Sequence, residues 1–161
     1  MATLDDRPAG LDSLDRRLIG KLRVAPHSTV SDLARALDCA RGTVLTRLRR
    51  LEERRVVVGY GPDIDPAAAG LGVLAFTTLA ILQGSHNRVV AHLRTIPEIL
   101  EIHTVTGSGD LLVRIVARSN DHLHLILQRV VSSPDINRTE TQLALSSTVL
   151  RTIADLVADG A

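Results

Sequence analysis

Residues 29–55, TVSDLARALDCARGTVLTRLRRLEERR, confine the first part of this chain to two short helices joined by a tight turn. Thr29-Val30-Ser31-Asp32 has the form of a capping box, in which the Thr29 hydroxyl accepts from the Asp32 N–H and the Asp32 carboxylate reaches back. Leu33, Ala34 and Leu37 follow at helical spacing, and Val44, Leu48 and Leu51 repeat it after the turn. On the second helix Thr43, Thr46 and Arg50 point away from that stripe, and Arg47 and Arg49 flank it. Asp12 and Ser13 predict the start of an earlier helix over about residues 12–25, with Leu14, Leu18 and Leu22 on one face and Pro26 as its stop. Three helices followed by residues 56–60, VVVGY, make a winged or extended helix-turn-helix domain. A short helix with a basic outer surface in this setting is the shape that enters the major groove of double-stranded DNA. Arg41, Thr43, Thr46 and Arg50 are placed for base edges, and Arg47 and Arg49 for phosphates.

Charge is distributed to match. Residues 1–60 hold 12 Lys+Arg against 8 Asp+Glu, a balance of +4, and the remaining 7 against 10 give −3 for residues 61–161. A basic half joined to an acidic half fits a nucleic-acid-binding part attached to something else. Tyr60 and Phe76 are the only aromatic residues, so the stacking platforms that single strands and RNA loops require are missing. The lone Cys39 excludes an intrachain disulfide framework and suits a reducing cytoplasm. No apolar run approaches the roughly 18 residues of a membrane span, and MATLDDRPAG lacks the hydrophobic region of a signal peptide.

Beyond an expected disordered arm at residues 1–10 and a linker at 61–72, the second half changes its period. Residues 73–82 read as an uncharged buried strand. Val89, Val90, Leu93 and Ile96 mark a helix from about residue 86. Residues 99–106 and 111–117 are β-rich runs separated by Gly107-Ser108-Gly109-Asp110, a hairpin turn. Residues 120–131 form a second helix, and residues 137–145 alternate, with Thr139, Thr141, Leu143 and Leu145 on one face. The order β-α-β-β-α-β is the ferredoxin-like split βαβ unit, so the fold class is α+β. Its sheet has one face without helices, which predicts self-association. The end, residues 148–158, carries no clear period.

Several phrases, in order and spacing, resemble the Lrp/AsnC, or feast/famine, family of bacterial transcription regulators. They are Leu14-Asp15-Arg16-Arg17, Asp32-Leu33-Ala34, Thr43-Val44 with Arg47-Leu48 and Leu51-Glu52-Glu53, and Val57-Val58-Gly59-Tyr60. Gly70-Leu71-Gly72, Val105-Thr106-Gly107 with Asp110, and Arg138-Thr139-Glu140-Thr141 continue the series in the second half. The resemblance implies a helix-turn-helix domain over residues 11–60 and a ligand-sensing and oligomerisation domain over 73–161. It also implies a homodimer, assembling further into an octamer, that holds an amino-acid effector at Thr106, Gly107, Ser108, Gly109 and Asp110. The implied protein is cytoplasmic and nucleoid-associated, needs no cofactor or metal, and is not an enzyme. Departures from the pattern are Asp38 where a Gly is common, Ala40 where a capping residue is common, and the small Gly109, which leaves room for a large apolar effector.

A second reading starts from the histidines. Tetrapyrrole decarboxylases resemble the same architecture, and His103 and Arg114 on neighbouring strands could serve such a reaction. The arginines of the second helix argue for the regulator, since that enzyme has no need of them. His122 and His124, two apart on a helix, diverge by about 200° and cannot converge on one metal ion.

Overall fold

The computed structural model describes residues 10–158, so residues 1–9 of the expected arm lie outside the described residues. In chain order the elements are α1 (Ser13–Val24), α2 (Val30–Leu37), α3 (Arg41–Glu53), β1 (Val73–Ile81), α4 (His86–Leu93), β2 (Ile99–Thr104), β3 (Leu111–Ala117), α5 (Asn120–Val131), β4 (Ile136–Ala144) and α6 (Ile153–Ala158). They fall into two compact units, one ending at Pro62 but rejoined by the chain from Val149, the other Asp63–Thr148.

In the first unit each helix starts where its side chains can satisfy the open N–H groups. Asp12 caps α1 and Asp15 reciprocates, and Thr29 and Asp32 make the expected box on α2. The turn between α2 and α3 is carried by Asp38 in the left-handed region (φ 54°, ψ 53°), which a short polar side chain tolerates. Ala40 begins α3 without a side-chain cap, a loss of about 0.5–2 kcal/mol against a capping residue. Leu18, Ile19, Leu33, Ala34, Leu37, Val44 and Leu51 form the core. Arg17 closes the end of α2 by donating to the Leu37 carbonyl at 3.3 Å.

Two features of this unit refine the expected organisation. No strand forms between α3 and Pro62. Arg55 turns the chain through a positive φ of 56°, and residues 56–62 run on as irregular backbone, the extended rather than the winged of the two expected forms. An extended segment without a second strand beside it has no ladder to join. The second domain was expected to run to residue 161; in the fold the chain from Val149 packs within the first compact unit. Thr152 and Asp155 form a third capping box, which starts α6 (Thr152 N to Asp155 Oδ2 2.7 Å, Asp155 N to Thr152 Oγ1 3.3 Å). Ala154 and Val157 pack on the core, and Arg23 Nε lies 3.3 Å from Asp155 Oδ1.

The second unit is a four-stranded antiparallel sheet of order β2-β3-β1-β4. Ala75, Leu79, Leu111, Val113, Ile115 and Ala117 pack against Val89, Leu93, Leu123, Ile126 and Val130 of α4 and α5, closing one core. Thr77 is fully buried on this face, and its hydroxyl is satisfied by Thr141 directly opposite (3.0 Å). Leu74, Phe76 and Thr78 of β1, with Leu112, Arg114 and Val116 of β3, project from the other face. Residues 66–70 form one turn, held by the Asp65 carboxylate on the Ala68 N–H (2.9 Å) and ended by Gly70 at φ 79°.

Candidate functional site

At 3.6 residues per turn, Gly42, Thr46, Arg49 and Glu53 lie on α3 opposite the buried Val44 and Leu51. Arg41 and Leu45 occupy one flank of that exposed arc, Thr43 and Arg50 the other. Of the α3 arginines, Arg49 therefore faces most directly outward. Arg50 is drawn sideways, donating to the Gly10 carbonyl at 3.4 Å beside Arg54 at 3.0 Å.

Arg47 does not face outward. Its Nη1 donates to Asp12 and, at 3.1 Å, to Oδ1 of Asp15, a carboxylate with no exposed surface. In place of the expected phosphate role, this guanidinium pairs with a buried carboxylate on α1 and ties α3 to α1. Asp12 is held below the ordinary carboxylate range, first by the Asp15 N–H and then by Arg47. Arg47 is in turn pushed up by its bonds to Asp12 and Asp15. The sequence carried a signal for this. Asp15 falls on the Leu18–Leu22 stripe at helical spacing, and a carboxylate there needs a cation. Leu45, 52% exposed, was also missed because the apolar pattern was complete without it.

The expected effector residues form the loop between β2 and β3. Its ends are tied, Val105 N–H donating to the Asp110 carbonyl (3.0 Å) and Asp110 N–H to the Leu79 carbonyl (2.8 Å). Asp110 Oδ2 accepts from the Ile81 N–H (2.8 Å), where the β1–β4 register shifts, and Arg138 donates to the Ser108 carbonyl (3.0 Å). Thr106, Gly107, Ser108 and Gly109 donate to no backbone carbonyl among the described residues. Gly107 sits at φ 116°, a conformation that favours glycine. Gly109 is small for another reason than room for an effector. A Cβ there would lie 2.3 Å from Thr78 Cγ2 and 3.1 Å from the Leu79 oxygen, so the missing side chain accommodates β1. The inference of space for a large effector at that position is corrected.

On the helix-free face Glu101 joins the two residues of the decarboxylase reading, accepting from Arg114 (2.6 Å) and pairing with His103 (3.0 Å). Their bonds, His103 first, hold Glu101 below its ordinary range. The other histidines are scattered: His86 meets Thr104 (2.9 Å), His92 donates to the Arg129 carbonyl (2.8 Å), and His124 pairs with Gln128 (3.1 Å). No cluster of metal-ligating side chains occurs among the described residues, and no described helix is long and apolar enough to cross a membrane.

A basic helix-turn-helix unit and a split βαβ sheet unit on one chain define a two-part transcription regulator. Comparison with known proteins agrees with that class. Residues 11–52 match the AsnC-type helix-turn-helix domain and residues 74–154 the Lrp/AsnC ligand binding domain. The HTH-type transcriptional regulator AldR of Mycolicibacterium smegmatis is 31% identical over 143 residues, covering 86% of this chain and 84% of that one. Among solved structures, Escherichia coli AsnC superposes with a TM-score of 0.84 at 23% identity, covering 90% of this chain and 99% of that one. The feast or famine regulatory protein of M. tuberculosis, solved with L-methionine, gives 0.78 at 30% identity, covering 88% and 96%. The chain belongs to the Lrp/AsnC family of transcription regulators.

Proposed function

We propose that this protein binds double-stranded DNA through α3 and is retuned by an amino acid held at the β2–β3 loop. The observation that carries the reading is the exposed arc of α3, where Arg49 and Thr46 stand outermost between Arg41 and Arg50. Thr46 meets base edges as expected. Arg49, expected on a phosphate, takes a base edge because it faces outward. Arg41, Thr43 and Arg50, expected on base edges, take the strand margins because they lie on the flanks. It acts by binding rather than catalysis, in the cytoplasm and on the nucleoid. The chain pairs through the helix-free sheet face, where Phe76 is 37% exposed beside Leu74 and Leu112. Such a pair would set two copies of α3 about 34 Å, or a multiple, apart along DNA. Leu125, 57% exposed on α5, supports contacts beyond the dimer, up to an octamer.

The N–H groups of residues 106–109 suit a carboxylate. The Asp110 oxygen not engaged by Ile81 suits the ammonium of the same amino acid. The M. tuberculosis relative was solved with L-methionine, so methionine is the first effector to test. For the effector to act, its affinity must differ between DNA-bound and unbound or between assembly states. In-vitro binding-site selection, run with and without a panel of proteinogenic amino acids, tests both halves. A selected palindromic motif whose yield changes with one amino acid is expected. No enriched motif would overturn the DNA reading, and no calorimetric binding of any amino acid at millimolar concentration would overturn the effector.

A further inference from the structure

We infer that Leu45 is a specificity-determining residue that packs on the C5-methyl group of a thymine in each half-site. This rests on the DNA-binding reading of α3 above. The core side of α3 is formed by Val44, Leu48 and Leu51, and Leu45 lies outside that core. Leu45 projects with half its surface exposed. It stands one helical turn from both Arg41 and Arg49, which are themselves exposed, so two guanidinium groups bracket it along the helix. Gly42 beside it adds no side chain, and a Cβ there would meet nothing within 4 Å, so the position is open.

Once the flanking arginines are seated, the isobutyl group faces whatever lies between their targets. A phosphate there would lose hydration against a side chain that donates nothing. The major-groove edges of G, C and A present donors and acceptors that leucine would leave unpaired, at a cost. Thymine alone offers an apolar group in that groove, its C5-methyl. Leu45 therefore favours thymine by contact and disfavours the other bases by desolvation.

Deoxyuridine, which is thymidine without that methyl, isolates the contact. The intact chain is first used to select its binding site, and each thymine of the site is then replaced singly by deoxyuridine. At one thymine per half-site the wild-type protein should bind about fourfold more weakly, the equivalent of about 0.8 kcal/mol for one buried methyl. Leu45→Ala keeps a strong helix former at an exposed position and so should fold. It should bind the thymine and deoxyuridine sites equally, whereas Arg49→Ala should bind both more weakly and keep the deoxyuridine penalty. Retention of the full penalty by Leu45→Ala, or a selected site indifferent to deoxyuridine at every thymine, would overturn the inference. So would a change in sedimentation mass on Leu45→Ala, which would make Leu45 a contact between copies. Failure to select any site is a different result, which removes the DNA-binding reading itself.

Discussion

Arg47→Ala separates a role in holding α3 from a role in holding DNA. The substitution leaves the Asp15 carboxylate without its guanidinium, at zero exposure, with a 3.3 Å bond from the Asp12 N–H remaining. Removing one partner of a buried pair costs roughly 3–5 kcal/mol. The Arg47 side chain keeps a quarter of its exposure, so water can reach the vacated volume, and the lower figure of about 3 kcal/mol applies. For a unit of this size that lowers Tm by about 10–20 °C. Scanning calorimetry of the full chain measures it, with amide exchange on α3 to show which unit loosens. Arg47→Met combined with Asp15→Leu removes both charges and should recover most of the loss, since an apolar pair of similar volume is often neutral or better. An unchanged Tm for Arg47→Ala, with the salt slope of DNA binding reduced by about one, would refute the reasoning and restore the phosphate contact.

Gly109→Ala should cost about 1–3 kcal/mol in chemical denaturation, because its Cβ overlaps Thr78 Cγ2, and Thr78→Ala should restore most of it. No loss would mean that the loop is not packed on β1. Tyr60 is the only tyrosine, so an ultraviolet titration reports it alone. Its phenol is pushed up to about 12, by burial first and then by its bond to Glu52 (2.6 Å), and ionisation near 10 would contradict that contact. The stability this neutral phenol adds is complete below the ordinary tyrosine value of about 10 and is lost as pH rises through 12. In acid the sign reverses. Asp12 and Glu101 are depressed, so the stability they add is present above about pH 4 and is lost as pH falls through their lower native values. Asp12→Asn with Glu101→Gln should flatten the acid limb of the stability–pH curve, and an unchanged limb would refute it.

What the sequence determined by itself is what short spacing encodes. The capping boxes at Asp12 and Thr29, the apolar stripes of α2 and α3, and the bounds of α5 at Asn120–Val131 are local matters, decided within a turn or two of chain. The β-α-β-β-α-β order follows from the same short-range periods, and it placed the loop of residues 106–110 between its two strands. Tertiary structure decided whatever depends on residues far apart. Arg47 reads as one more arginine on a basic helix until α1 brings Asp15, 32 positions earlier, against it. Gly109 reads as vacant space until β1 brings Thr78 beneath it. The tail had no winning period because α6 is one and a half turns long, and helices so short are stabilised by what they pack on rather than by their own pattern. That support comes from α1, more than a hundred residues earlier in the chain. The physical division is one of range. Hydrogen-bonded turns and caps are written in neighbouring residues, whereas a buried charge, a tight approach or a docked short helix acquires its meaning from the surface that folding brings to it.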